Sequence, residues 1–345
     1  MNTYRIAVLP GDGIGPEVTA EAIKSLEAAS RGFRLELEHF SVGAGEYLRS
    51  GDPLPPAVFS RLEGFEAILL GAMGLPDVRW PDGTEMAPQL DLRERLELYA
   101  GLRPLRLYHG DFTPLKGRAA GAIDLLIVRE NTEGLFSTRK APLEASESSV
   151  LDGLRVSRHG AERLFRAAFE QARRRRRKVS LVDKANVLQS FAFFRRIFDE
   201  IAAQFADVEA EHVYVDAAAL YLVQRPERFD VLVTENMFGD ILSDLGAAVV
   251  GGMGLAPSAD VGERHAVFQP SHGSAPDIAG RGVANPVATI LSAAMMLEWL
   301  GETVAAKQIE QAVETVLAEP ANRTPDLGGS LSTAELGDRI AARIA

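Results

Sequence analysis

The chain contains no cysteine among its 345 residues. That absence excludes disulfides, thiolate nucleophiles and cysteine-based zinc sites in one step. Positive charge is also in short supply, with 37 Lys and Arg against 48 Asp and Glu, a net charge of −11. Such a field repels nucleic acid and anionic membranes, so neither is an expected partner, and an anionic substrate must meet a local cluster of cations. Long apolar runs are missing too. No window approaches the roughly 18 uncharged apolar residues that span a bilayer, and the start MNTYRIAVLPGDG lacks the apolar core of a signal peptide. A cytoplasmic protein is the expectation.

What is present is the balance of an ordinary globular protein, 46% hydrophobic and 25% charged, at a length where one core usually divides into two lobes. Apolar runs rich in β-branched residues (RIAVLP, EAILLG, IDLLIV, KVSLVD, FDVLVT) alternate with helical stretches such as PEVTAEAIKSLEAAS, FFRRIFDEIAAQF and FGDILSDLGAAVV. The alternation predicts an α/β architecture with at least partly parallel strands. Two segments imitate function. Six consecutive basic residues at 173–178 read as a solvated helix end leading into a strand rather than a nucleic-acid patch. LPGDGIGPE (9–17) places Pro16 where a G-x-G-x-x-G dinucleotide fingerprint needs its third glycine, and so reads as a tight strand-to-helix turn.

The strongest local signal is FDVLVTENMFGDILSD (229–244), in which Asp240 and Asp244 stand at i and i+4 on one helix face. Two carboxylates so placed either form a solvated acidic face or hold a hard cation, Mg²⁺ or Mn²⁺. Lys184 follows a strand, and Asp216 opens an apolar helix where capping is the simpler role. Arg93, Arg103 and Arg129 stand near strand or helix ends, where guanidiniums can grip carboxylates in pairs. HGSAPDIAGRGVANP (272–286) is too rich in Gly and Pro for a helix, and as a loop it offers backbone N–H groups to a phosphate.

Taken in order, LPGDGIGPE, LRP, VRENTEG, VDKANVL, GDILSDL, HGSAPDIAG and ANPVATILSAAMMLEWLG resemble the β-decarboxylating dehydrogenases, the isocitrate/isopropylmalate dehydrogenase family that also includes homoisocitrate, tartrate and D-malate dehydrogenases. The resemblance implies an isopropylmalate-dehydrogenase-like two-lobed α/β fold with a large mixed sheet and no standard Rossmann turn. One lobe, residues 1–100 plus 251–345, would bind the cofactor; the other, 101–250, would dimerise and carry the metal and substrate residues. The implied partner is a second copy, with active sites shared across the homodimer.

On this resemblance the chain oxidises and decarboxylates a 2-hydroxy acid with a β-carboxylate, using NAD and Mg²⁺ or Mn²⁺. Arg93, Arg103 and Arg129 bind substrate carboxylates. Asp240 and Asp244 bind the metal, together with Asp216 of the partner subunit. Lys184, also from the partner, is the base. His272, Gly273, Ser274, Ala275, Asp277 and Asn285 line the cofactor site, and Asn186 lies near the nicotinamide. Asp277 accepts from ribose hydroxyls and repels a 2′-phosphate, which points to NAD over NADP. Met86, Gln89 and Leu90 occupy the stretch that reads the substrate's variable substituent. They match neither the isopropylmalate nor the isocitrate pattern, so 3-isopropylmalate, D-malate, tartrate and isocitrate stay open. Two positions depart from the family. Phe136 replaces the tyrosine that protonates the enol, and Gln269 replaces a common glutamate. Phe136 is the argument for the alternative, a catalytically weak regulatory subunit.

Overall fold

A computed structural model describes residues 2–140, 144–145 and 148–344. Its strands are β1 (Asn2–Gly11), β2 (Phe33–His39), β3 (Ala67–Ala72), β4 (Ala100–Arg106), β5 (Asp124–Glu130), β6 (Glu144–Ala145), β7 (Val150–Leu151), β8 (Lys178–Asp183), β9 (Glu209–Tyr214), β10 (Val231–Thr234), β11 (Pro257–Val261) and β12 (Ala266–Pro270). Ten of them form one mixed sheet in the order β2-β1-β3-β12-β11-β4-β5-β10-β8-β9, while β6 and β7 pair separately. The α/β expectation and the large mixed sheet both hold.

The sheet has a seam. β2, β1, β3 and β12 run parallel, as do β5, β10, β8 and β9, but the joins β12–β11, β11–β4 and β4–β5 are all antiparallel. Strands from both ends of the chain thus build one side of β4, and strands from residues 124–234 the other. The strands β3, β5 and β10 are almost continuously buried because helices cover both faces. The helix Val287–Trp299 is buried on nearly every side, so it is apolar all round rather than amphipathic.

The glycine-rich turn after β1 serves packing. Gly11 and Gly13 take φ of 76° and 58°, and Pro16 lies in the first turn of the helix Gly15–Ala29. The amides of Asp12, Ile14 and Gly15 donate to the carbonyls of Ala72, Ser274 and Asp12 at 2.8, 2.8 and 2.9 Å. With those groups already committed inside the protein, the turn has none of them left for a pyrophosphate. A side chain at Gly13 would put its Cβ 2.0 Å from the Ser274 carbonyl, which is how closely the loop after β12 sits on this turn.

The basic run needs a correction. It does join the helix Arg158–Arg173 to β8, but it is not simply solvated. Arg175 is half-buried and donates to Asp230 and Asp124 at 2.8 and 2.6 Å, while Arg176 donates to the Phe229 carbonyl at 2.5 Å. These bonds tie together the starts of β5, β8 and β10.

Candidate active site

A cleft of about 430 Å³ opens over the seam, and Arg93, Arg103 and Arg129 all line it. Each arrives from a different element: Arg93 from the helix Pro88–Arg95, Arg103 from β4 and Arg129 from the end of β5. All three are buried, Arg129 to 1% exposure. Three guanidiniums out of water repel one another unless anions meet them. Burial first, then the charges of neighbouring arginines, lowers the pKa of both Arg103 and Arg129.

Protein partners meet that demand only in part. Arg129 donates from Nε and Nη2 to Asn236 Oδ1 at 3.1 and 2.7 Å, and from Nη1 to Asp240. Arg103 Nη1 donates to Ser243 Oγ at 3.1 Å, but among the described residues its buried Nε has no partner. Arg93 Nε donates to Asp260 Oδ2 at 2.8 Å. Gln89 Oε1 and His272 Nε2, on residues that also line the cleft, are likewise buried without partners. Orphaned polar atoms around one cavity are the mark of a site that expects a polar ligand.

The opposite wall is the helix Asn236–Val250, capped by Glu235, whose carboxylate accepts from the Met237 and Phe238 amides. Asp240 and Asp244 face the cleft one turn apart, as their spacing predicts. Gly239 sits where this helix crosses the Arg129 side chain, whose Cγ and Cβ lie 2.6 and 2.7 Å from where a methyl would stand. Burial raises the Asp244 pKa, and the adjacent Asp240 adds to this against the pull of Arg103. The two acids are oxygen donors of the kind Mg²⁺ and Mn²⁺ take. Among the described residues no group of three or more His, Asp or Glu gathers as a metal set, so one chain offers this pair alone.

Lys184 and Asp216 meet each other instead. Lys184 Nζ lies 2.5 Å from Asp216 Oδ1, and this hydrogen bond lowers the Asp216 pKa. Asp183, fully buried at the end of β8, accepts from Arg195 at 2.7 and 2.6 Å and thereby fixes the turn that presents Lys184. Neither Lys184, Asp216 nor Asn186 lines the cleft of its own chain. Asn186 is exposed on the same turn, beside exposed Val187 and Leu188.

The loop after β12 supplies His272 and Gly273 to the cleft. His272 is held toward its neutral form by burial and hydrogen-bonds through Nδ1 with the Gly273 carbonyl at 2.9 Å. Ser274 is buried under this loop, Ala275 takes a φ of 37°, and Asp277 is exposed. Asn285 donates to Asp326 at 3.0 Å and accepts from the Val287 amide at 3.1 Å, so it anchors the loop's far end.

Of the residues expected to read the substrate's substituent, Gln89 and Leu90 line the cleft. Met86 does not. It is completely buried and faces away from the cavity, whereas Glu85 and Ala87 on either side line it. Phe136 also lines the cleft, with the Arg129 guanidinium 5.4 Å from its ring centre. The sequence reading missed the residues that hold the arginines, Asn236, Ser243 and Asp260. Their only signal was a polar side chain inside an otherwise buried element.

A family model described as isocitrate/isopropylmalate dehydrogenase matches residues 5–340. The chain belongs to the isocitrate/isopropylmalate dehydrogenase family. Among its relatives, the 3-isopropylmalate dehydrogenase of Thermobifida fusca is 46% identical, with 99% of this chain and 98% of the relative covered. That of Mannheimia succiniciproducens is 44% identical over the whole of both. The isocitrate dehydrogenase of Methylococcus capsulatus superposes with a TM-score of 0.90 at 38% identity, covering 99% of each chain. Members of this dehydrogenase family therefore share the chain's fold from end to end. Among the described residues no helix is long and apolar enough to cross a membrane.

Proposed function

We propose that this protein is an NAD-dependent dehydrogenase that oxidises a 2-hydroxy acid bearing a β-carboxylate and then decarboxylates it, with Mg²⁺ or Mn²⁺. The observation that carries the proposal is the convergence of three buried, incompletely partnered guanidiniums on one cleft whose far wall carries Asp240 and Asp244. A substrate with two carboxylates matches three guanidiniums in charge and geometry. Arg93, Arg103 and Arg129 orient it toward the Asp240 and Asp244 wall of the cleft.

NAD, held by the loop 272–286, would accept the hydride that leaves substrate C2, and a dication held by Asp240 and Asp244 with Asp216 of the partner subunit would supply Lewis-acid polarisation of the 2-hydroxyl. Lys184 Nζ takes the hydroxyl proton as the base. The β-carboxylate then leaves as CO₂, and its bonding electron pair stays on the substrate as an enolate, which must be protonated at C3. The Phe136 ring has no proton to give, so water or another group must supply it. The same residue favours the second reading, a catalytically weak regulatory subunit. The intact set of Lys184, Asp216, Asp240, Asp244 and the arginines favours the enzyme.

Lys184 and Asp216 act across a homodimer in this proposal. Support comes from the apolar residues exposed around them, Val187, Leu188, Leu220, Val223 and Ile241, which a second copy would cover. The loop 272–286 holds the adenosine end of NAD, with Asp277 free at its surface for ribose hydroxyls and Asn186 near the nicotinamide. Residues 1–100 with 251–345 form the cofactor lobe and 101–250 the dimerisation lobe, a division supported by the order of strands on either side of β4.

The test is NADH formation with Mn²⁺ and D-malate, tartrate, 3-isopropylmalate, isocitrate or homoisocitrate. Lys184→Ala should abolish turnover while NAD binding persists. A wild-type chain that binds NAD yet oxidises none of the five would favour the regulatory reading.

A further inference from the structure

Beneath Arg93 lies a carboxylate that no step above uses. Asp260, on β11, is 1% exposed and receives three donors: Arg93 Nε at 2.8 Å and Gln269 Nε2 at 2.6 Å on Oδ2, and Asn131 Nδ2 at 2.8 Å on Oδ1. Gln269, on the neighbouring strand β12, lines the cleft itself. Among the described residues Nε is the only Arg93 side-chain atom with a protein partner, so the two terminal nitrogens of this guanidinium stay available to a ligand.

Burial alone would raise the Asp260 pKa, but the charges of Arg93 and Arg103 and the hydrogen bonds from Arg93 and Asn131 outweigh it and hold the carboxyl below its ordinary range. Asp260 is therefore the buried counter-ion of Arg93, as Asp240 is the counter-ion of Arg129, in a site that three arginines share. An ionised carboxylate at 260 leaves residue 269 little choice. An amide can donate to it, whereas a second carboxylate of the same shape would meet it at hydrogen-bond distance with like charge.

We propose that Asp260 and Gln269 are a matched pair that positions Arg93 for the substrate carboxylate, with the negative charge that supports Arg93 on β11 and its neutral donor on β12. The proposal rests on the reading that the arginine cluster binds a dicarboxylate. Asp260 touches no substrate and acts through Arg93. Asp260→Asn keeps the shape but cannot serve three donors, because an amide turns one of its two ends into a donor facing Asn131 or Gln269. The exchanged pair Asp260→Asn with Gln269→Glu restores one carboxylate beside one amide.

Malonate serves as the probe, with affinity measured by calorimetry on the full chain and folding checked by circular dichroism. Asp260→Asn should weaken malonate about tenfold or more, the loss expected for a charged hydrogen bond. Gln269→Glu should bind malonate more weakly than wild type and gain stability as pH falls, since one of two facing carboxylates must be protonated. The exchanged pair should recover affinity to within about threefold of wild type, outside the error of neighbouring sites that merely add. The proposal is overturned if Asp260→Asn lowers the melting temperature without changing malonate affinity, if the exchanged pair is no better than its worse single variant, or if the wild type binds no malonate. If the malonate pattern holds but none of the five hydroxy acids is oxidised, the functional reading fails and the pairing stands.

Discussion

Replacing Gly239 by alanine isolates the contact on which Arg129 depends. The added methyl would lie 2.6 Å from Arg129 Cγ, 2.7 Å from its Cβ and 3.2 Å from its Cδ. The Cβ is one bond from the backbone of β5, so the stem cannot swing clear as the tip of a long side chain would. Overpacking of this kind costs about 1–3 kcal/mol, and the better helix propensity of alanine returns about 1 kcal/mol. Net stability should therefore fall by no more than about 2 kcal/mol.

The effect on binding should be larger. A displaced Arg129 stem shifts the guanidinium from Asn236 and Asp240, and losing one charged hydrogen bond of about 1.5–3 kcal/mol corresponds to roughly a 10- to 100-fold loss in affinity for a carboxylate. Thermal unfolding and NADH-formation kinetics on the same preparation separate the two effects. A melting temperature that rises with an unchanged kcat/KM would refute the reasoning, because it would mean that the helix clears Arg129 without moving it.

Three further outcomes follow from the site. Burial raises the Glu130 pKa from its ordinary 4.5 to about 7, so its proton is held more tightly in the folded state. Unfolding free energy should then fall by up to about 3 kcal/mol as pH rises from 4.5 to 7, and Glu130→Gln should flatten that slope in denaturant titrations; an identical slope would assign it to another group. Gln89→Leu removes a buried, unpartnered acceptor from the cleft and, on the proposed function, should raise kcat/KM for 3-isopropylmalate relative to D-malate about tenfold, with an unchanged ratio placing the substituent elsewhere. Asp277→Lys should shift the NADP-to-NAD preference toward NADP, and an unmoved ratio would remove Asp277 from the adenosine site.

The sequence made the parallel parts of the fold legible and left the seam unread. Runs such as IDLLIV and FDVLVT announce buried strands by composition, and Asp240 and Asp244 announce a shared helix face by spacing. The strands AGLRPLR, PSADV and AVFQP each carry a proline, and two contain a charged residue that pairs inside the protein. Local patterning cannot show such pairing, because Arg93 and Asp260 are 167 residues apart. Met86 shows the same limit of local reading. Its position beside Gln89 marks the pocket, but the local backbone turns its side chain into the core.

The antiparallel seam ties recognition to the shape of the sheet. Arg93, Arg103 and Arg129 stand on one side of it, on it and at its other edge, and the hydrogen bonds of β11, β4 and β5 run unbroken beneath them. The halves cannot part like the jaws of a hinged clamp without breaking those ladders. Any opening must come from twisting a continuous sheet, which changes the spacing of the three guanidiniums at the same moment. A ligand that sets that spacing thereby sets the twist, so the proposed grip on a dicarboxylate and any narrowing of the cleft share one elastic coordinate.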